Sequence, residues 1–451
     1  MQEINNDRCG SIGKRIGVFG HVGNGNLGDE AIMSAVIQSI KHRCPGAEIV
    51  GFTLNPKDTR ERHKIAAVPI RRIGKIKENA TFLRPSQAGD QKYQQSFEKL
   101  LSQIKTNIKN ISLLYAFLKK LQKSWHALQA SVKELRFVFQ CYRNIKGIDF
   151  LIIAGSHQLI DCIAGGAWGH PYTLFKWVLV AKMVKTKVAF MSVGAGPVQS
   201  LLGKFFIKNA LLLGSYRSYR DEVSRKCVEK LGVSGHGAVF PDLVFGLCLK
   251  SASHHIPSIT RSIVGINPVP FKDPQYWLGS SDRGYDIYIR KLADFALWVM
   301  EKDYKLLFFP TQLRLDPQVI EDIRILINQN KILDTEQDVI DYPVHSMHDL
   351  VSAICMTDIV VATRFHGIAI PYLLNKPVMG IAYHEKTVEL MRQLGQAEYT
   401  LDILQFGLEA MQAKFVALES RKAAIKEEIA QRISAHRDAL EVQYERVFRY
   451  L

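Results

Sequence analysis

Short apolar runs rich in β-branched residues recur through the first half of the chain, at 15–20 (RIGVFG), 48–54 (EIVGFTL), 149–155 (DFLIIAG), 187–194 (KVAFMSVG) and 238–245 (AVFPDLVF). Stretches of helical character separate most of them. Apolar rather than alternating strands, joined by helices, predict a parallel sheet covered on both faces. The pattern breaks over 249–262 (LKSASHHIPSITRS) and resumes at 262–269 (SIVGINPV), 304–311 (YKLLFFPT), 357–363 (TDIVVAT) and 376–383 (KPVMGIAY). The reading is an α/β chain of two Rossmann-like domains, 11–248 and 262–405, joined by a linker at 249–261. Ligands in such sheets sit beyond the carboxyl ends of the strands, so two domains face to face make a cleft. Residues 406–451 read as a long amphipathic helix that closes the fold.

One stretch has a different period. Phe97, Leu101, Ile104, Ile108, Ile111, Tyr115, Leu118, Leu121, Trp125, Leu128, Val132, Leu135, Phe139 and Tyr142 follow spacings of four and three, a heptad pattern with one slip and no Gly or Pro. It predicts a helical insertion over 91–146 in the first domain. Charge singles out the same region. The net charge is +16, and residues 57–146 hold twenty basic and six acidic residues, so nearly the whole excess is local. That argues against a basic polynucleotide cleft and for one cationic accessory surface. The 97–142 stripe serves either packing, on the first domain or another subunit, or a peripheral membrane face where Lys105, Lys109, Lys119, Lys120, Lys123 and Lys133 meet anionic lipid.

At 451 residues and 47% hydrophobic, the chain can bury two cores. No run of about 18 apolar residues appears, and the first residues lack the basic-then-apolar layout of a secretory signal. A cytoplasmic protein is expected, with peripheral contact to the inner membrane face as its membrane option. The seven cysteines are scattered and never arranged as CxxC, which reads as reduced thiols rather than disulfides or zinc ligands.

Candidate chemistry lies at the strand ends. Gly23, Gly25 and Gly28 satisfy G-x-G-x-x-G between the first strand and its helix. The second strand ends Leu54-Asn55-Pro56, without the carboxylate that a dinucleotide ribose needs. Asp29 and Glu30 would also compete with a pyrophosphate for the helix N-terminus, so the turn is read as an acceptor-side scaffold that something approaches closely. Asn26 and Asp29 are assigned there; Asp29 either starts the helix or orients and deprotonates an acceptor hydroxyl. In 154–177, Gln158, Asp161, Trp168 and His170 suit a sugar-facing loop, where an aromatic ring stacks on a pyranose and a carboxylate takes hydroxyl protons. His157 and His170 fit a structural role before a catalytic one. The turn 192–198 offers Gly194 and Gly196, and Arg220 stands beside Asp221 as either a salt bridge or an anion ligand. Pro241-Asp242 reads as structural.

The segment 357–387 is the most informative. A buried strand is expected to run through Thr363-Arg364-Phe365-His366-Gly367 before a helix begins, so that Arg364 and His366 alternate to one side and Phe365 points into the core. A fixed cation beside an imidazole at a helix N-terminus suits a phosphorylated acid. Lys386 supplies a second charge after the next strand.

Taken together, GNGNLGDEAI (23–32), GGAWGHPY (165–172), SVGAGP (192–197), RSYRDEVS (217–224), PD (241–242), TRFHG (363–367) and GIAYHEKT (380–387) resemble the polysaccharide pyruvyl transferase family, in family order across most of the chain. The resemblance implies a fold like the two-Rossmann GT-B glycosyltransferases. It also implies phosphoenolpyruvate as donor, no metal or other cofactor, and a pyruvate ketal formed on a sugar of a cell-surface polysaccharide or its lipid-linked precursor. It carries donor binding to Arg220, Arg364, His366 and Lys386. Two positions depart from the family: Ser156-His157 stands where a glycine run is common, and His384 replaces an acid. The chemistry asks for cations on the donor's carboxylate and phosphate and a proton for C3, with His366 as acid/base and Asp29 or Asp161 assisting the acceptor hydroxyl. Two rivals are a nucleotide-sugar glycosyltransferase, which usually shows two glutamates eight apart where Glu385 and Glu389 are four apart, and a non-catalytic glycan-binding or assembly protein.

Overall fold

The structure is a computed structural model that describes residues 13–72, 112–161, 165–233, 235, 237–249, 261–273, 282–329 and 338–451. Two all-parallel sheets organise it. The first has order β3-β2-β1-β4-β5-β6-β7, built from β1 (Arg15–Phe19), β2 (Glu48–Thr53), β3 (Ala66–Pro69), β4 (Phe150–Ala154), β5 (Lys187–Val193), β6 (Tyr216–Tyr219) and β7 (Ala238–Val239). The second has order β10-β9-β8-β11-β12-β13, built from β8 (Ile263–Asn267), β9 (Lys305–Phe308), β10 (Val339–Ile340), β11 (Ile359–Ala362), β12 (Val378–Ala382) and β13 (Thr400–Asp402). In each sheet the order reverses beside the first strand, between β1 and β4 and between β8 and β11. That reversal opens a crevice at the strand ends.

The long apolar runs became the central strands because both faces are covered. β4 and β8 are buried at every position. The run at 238–245 is a strand only at Ala238–Val239. Pro241 and Asp242 then end it, and a 3-10 turn, Leu243–Gly246, follows with Asp242 as its cap. One core spans the inner face of the first sheet, the helix Leu27–Arg43 and the whole second domain. A separate core lies under three helices on the outer face of the first sheet: Ser112–Ile145, His170–Met183 and Leu201–Leu213. The predicted insertion is thus a helix from Ser112 onward; Phe97, Leu101, Ile104, Ile108 and Ile111 lie outside the described residues.

The C-terminal stretch forms two helices, Leu408–Ser420 and Lys422–Phe448. The second crosses back onto the first domain. There the fully buried Gln443 reaches the Ser192 and Ser218 hydroxyls, at 3.0 and 2.6 Å, tying β5 to β6. Among the described residues, Cys44, Cys141, Cys227, Cys248 and Cys355 form no disulfide.

The domains are stitched together at the cleft by an antiparallel bridge. Leu27 N–H donates to Thr311 O and Leu313 N–H to Gly25 O, both at 2.8 Å, with Asn26 opposite Gln312.

Candidate active site

The helix that follows β11 begins at Phe365, and β11 ends at Ala362. Arg364 is therefore the residue before the helix and His366 lies in its first turn, so the expected strand-like alternation does not occur. The two side chains diverge. Arg364 turns to Asp316, which is fully buried; Nε lies 2.8 and 2.9 Å from its two carboxylate oxygens and Nη2 2.5 Å from one. Asp316 also accepts from the Thr311 and Gln312 amides, at 3.0 and 2.8 Å. Through Nε and Nη2, Arg364 fixes the loop that bridges the domains. Phe365 does not point into the second core alone: its ring lies 4.3 Å beneath the Arg220 guanidinium.

His366 crosses to the first domain. A Cβ on Gly28 would stand 2.0 Å from its Nδ1, so the third glycine of the G-x-G-x-x-G turn is there to admit an imidazole from the facing domain. Gly23, at φ +88, similarly abuts Asn55. The close partner expected for this turn is protein, and the first turns of Leu27–Arg43 and Phe365–Leu373 abut with both positive dipole ends toward the cleft.

Three buried nitrogens in this cleft have no hydrogen-bond partner among the described residues: Nη2 of Arg220, Nδ1 of His157 and Nε2 of His366. Arg220 is held loosely, 3.4 Å from Asp221 and 3.3 Å from Asp242. His157 sits edge-on to His384, ring centres 5.8 Å apart. Gly194 and Gly196 are close-approach residues for this pair: a Cβ on Gly194 would lie 2.9 Å from Arg220 Nη2 and 3.0 Å from His157 Nδ1, and one on Gly196 2.7 Å from His157 Nε2. Their own amides donate to Ser156 O and Leu159 O. Burial pushes His366 down to about 4, with the Asp242 carboxylate opposing and Arg220, Lys386 and Arg364 reinforcing. His157 falls well below its usual range through burial and the charges of Lys386, Arg220 and His384. Lys386 thus acts on both imidazoles, and its helix is capped by His384, whose Nδ1 accepts from the Lys386 amide at 3.2 Å.

Asp29 faces the same space. Its Oδ1 accepts from the Ser156 hydroxyl at 2.7 Å. Burial lifts its carboxyl to about 7; the Ser156 hydrogen bond and Lys386 oppose the rise, and Glu30 and Asp242 assist it. Glu30 is structural, bonded to the Gly23 amide at 2.9 Å and to His63 at 2.6 Å. Ser156 has φ +57, a left-handed backbone that glycine would adopt without strain. The serine at this turn supplies the hydroxyl that Asp29 needs.

Other expected residues lie elsewhere. Asp161 accepts from the Gln199 amide, the Ser200 amide and the Ser200 hydroxyl at 2.9, 2.8 and 2.6 Å. Burial alone would raise its carboxyl, but those bonds hold it below the usual range, so it anchors the start of Leu201–Leu213 and is no base. Gln158 and His170 are buried against each other, His170 Nε2 3.1 Å from Gln158 Oε1, which closes both to an acceptor. Asn26 caps Leu27–Arg43 through Gly28 N–H at 3.0 Å. Trp168 is exposed and joins Tyr172 and Phe206 on the outer helices rather than lining the cleft. His157, Ser156, Asp242 and Asp316 are the residues that sequence reasoning passed over or read as structural. The only signal for the first two was the departure at 156–157 from the expected glycines.

Two facing parallel domains, with a cationic cleft between their switch points, define a GT-B-type group-transfer scaffold. The chain belongs to the polysaccharide pyruvyl transferase family, whose model matches residues 26–385, and is a polysaccharide-modifying transferase. Among solved structures, it is similar to the UDP-GlcNAc 2-epimerase of Neisseria meningitidis bound to UDP-GlcNAc, at 14% identity and TM-score 0.53, over 96% of this chain and 98% of that one. It is also similar to a putative UDP-N-acetylglucosamine 2-epimerase of Listeria monocytogenes, at 11% identity and TM-score 0.55, over 93% and 91%. These likenesses establish the fold. The comparison with curated proteins found no match.

Proposed function

We propose that the chain transfers the pyruvyl group of phosphoenolpyruvate to two hydroxyls of a sugar in a cell-surface polysaccharide or its lipid-linked precursor. The observation that carries this reading is the convergence of Arg220 Nη2, His157 Nδ1 and His366 Nε2, buried and unpartnered, between two helix N-termini. Buried polar nitrogens are as a rule hydrogen-bonded, so three without a protein partner suit a polar ligand. A small molecule carrying both a phosphate and a carboxylate suits this set, with the charges of Arg220 and Lys386 opposite its own.

The roles divide by environment. Held neutral by burial, His366 takes up a proton when the donor anion arrives and delivers it to C3, leaving C2 electrophilic. Asp29, lifted to about 7, is poised to accept the proton of the first acceptor hydroxyl as its oxygen bonds to C2. The second hydroxyl then displaces phosphate from C2, its proton leaving with the phosphate. The products are a ketal whose former C3 is a methyl, and inorganic phosphate. Arg220 and His157 hold the charge that accumulates on the leaving group. No other cofactor enters these steps.

The test is incubation with phosphoenolpyruvate and candidate lipid-linked or polymer acceptors, following phosphate and acceptor-bound pyruvyl together. Equal amounts of both are expected. Phosphate without acceptor-bound pyruvyl defeats the reading, and nucleoside diphosphate release from a nucleotide sugar replaces it with a glycosyltransferase.

A further inference from the structure

The three helices on the outer face of the first sheet form one layer. Lys176 of His170–Met183 reaches Glu134 of Ser112–Ile145 at 2.6 Å, and Phe175 meets Phe205 of Leu201–Leu213 with ring centres 5.9 Å apart. The inner side of the layer is ordinary core, with Phe137, Cys141, Trp177 and Ile207 buried. The outer side of a surface helix is normally polar. Here it is not. Trp125, Leu135 and Phe139 on the long helix are 59%, 69% and 63% exposed, Met183 on the second 69%, and Leu201 and Phe205 on the third 84% and 53%. Residue 139 lies half a helical turn from Phe137, so the exposed stripe points directly away from the body. An apolar surface continued across three helices marks an interaction face.

Charge identifies the partner. Apart from Lys176, which is buried against Glu134, the three helices hold nine lysines and arginines, and Glu134 is their single acid. That acid is already taken by Lys176 and by Arg72 at 3.1 Å. A second copy across a two-fold axis would set this basic face against itself. Water alone would leave the stripe uncovered. A surface both negatively charged and apolar just beneath its charges satisfies both features, with lysines at the headgroups and aromatic and aliphatic tips below them.

We propose that this three-helix face docks the protein on an anionic lipid bilayer. It lies on the first domain and extends the basic stripe of the long helix onto the two helices beside it. No described helix is long and apolar enough to cross a membrane, so the contact is peripheral.

Sedimentation of the full chain with vesicles tests this, using phosphatidylcholine alone and phosphatidylcholine mixed equally with phosphatidylglycerol. The expected result is binding to the mixed vesicles at about 0.1 M salt and release near 1 M, where the screening length falls from about 10 to about 3 Å. Trp125→Ser with Phe139→Ser, and separately Leu201→Ser with Phe205→Ser, should weaken binding roughly tenfold or more. Arg136→Glu with Arg143→Glu, which flank Phe139 on the same side of the long helix, should do the same without touching an apolar residue. Val388→Ser, an exposed apolar site on the second domain, should bind as the unsubstituted protein does. Failure of the full chain to bind mixed vesicles, equal binding to neutral vesicles, or full binding by all three double variants overturns the proposal. So does a dimer in analytical ultracentrifugation that the same substitutions split, which would assign the face to a second copy.

Discussion

At the scale of single residues, the cleft is governed by the Ser156 hydroxyl and the two groups whose proton affinities are displaced in opposite directions. The hydrogen bond from Ser156 lowers the Asp29 carboxyl against the rise that burial imposes. Ser156→Ala therefore moves the ascending limb of the pH–rate profile upward, toward alkaline pH, and a profile of kcat/KM shows it. Asp29→Asn carries two opposed outcomes. Turnover falls by about 10²-fold or more. Stability moves the other way: with a folded value of about 7 against an ordinary 3.8, ionised Asp29 costs nothing below about pH 4 and its full penalty above about pH 7. The variant therefore melts higher than the parent at pH 8 and no higher at pH 4, as calorimetry at the two values shows. Some of this was legible in the chain. Arg220, Asp29, His366 and Lys386 announce themselves by type and by position after a strand. Asp161 looks the same in sequence and proves to be a helix anchor, because nothing local says that the Gln199 and Ser200 amides lie against it. His157 was hidden for the converse reason: only the left-handed turn at Ser156 shows which way the imidazole is aimed.

At the scale of elements, the early start of the helix at Phe365 separates two residues that sequence had paired. Arg364 holds the 311–316 loop through Asp316, and His366 reaches across to Gly28. Asp316→Ala leaves the half-buried Arg364 without its counter-charge, and a loss of about 2–3 kcal/mol, below the ~3–5 kcal/mol of a fully buried pair, is expected in denaturant unfolding. Because the freed loop bears the interdomain bridge, KM for the donor rises with it. Gly28→Ala tests the other contact. Its methyl would overlap the imidazole, so turnover falls by about 10²-fold or more while circular dichroism stays native, a misplacement effect rather than an unfolding one. Elements with strong apolar signals were recognisable from sequence. The short strands β3, β6, β10 and β13 were not, since runs such as Tyr216-Arg217-Ser218-Tyr219 owe their extended form to a neighbouring strand rather than to their own composition.

For the whole molecule, buried neutral histidines set the acid limit. His21, His157, His170 and His366 are all lowered from 6.5, chiefly by burial. Each costs nothing above about pH 6.5 and progressively more as pH falls toward 4, because the unfolded chain then binds protons that the native one refuses. Four such groups outweigh the opposite trend of Asp29, so the melting temperature drops between pH 7 and pH 5. Donor binding should reverse part of this locally, and calorimetric titration of phosphoenolpyruvate in buffers of different ionisation enthalpy is expected to show proton uptake. The return of Lys422–Phe448 to the first domain has a consequence for biosynthesis. Gln443, Tyr444 and Val447 are buried, and Gln443 joins β5 to β6. A ribosome supplies them only after the second domain has been made. The first of these two domains is thus completed only after the second. A nascent chain released before residue 440 would carry an open seam beside β5 and β6, a segment for chaperones to guard until the returning helix is made.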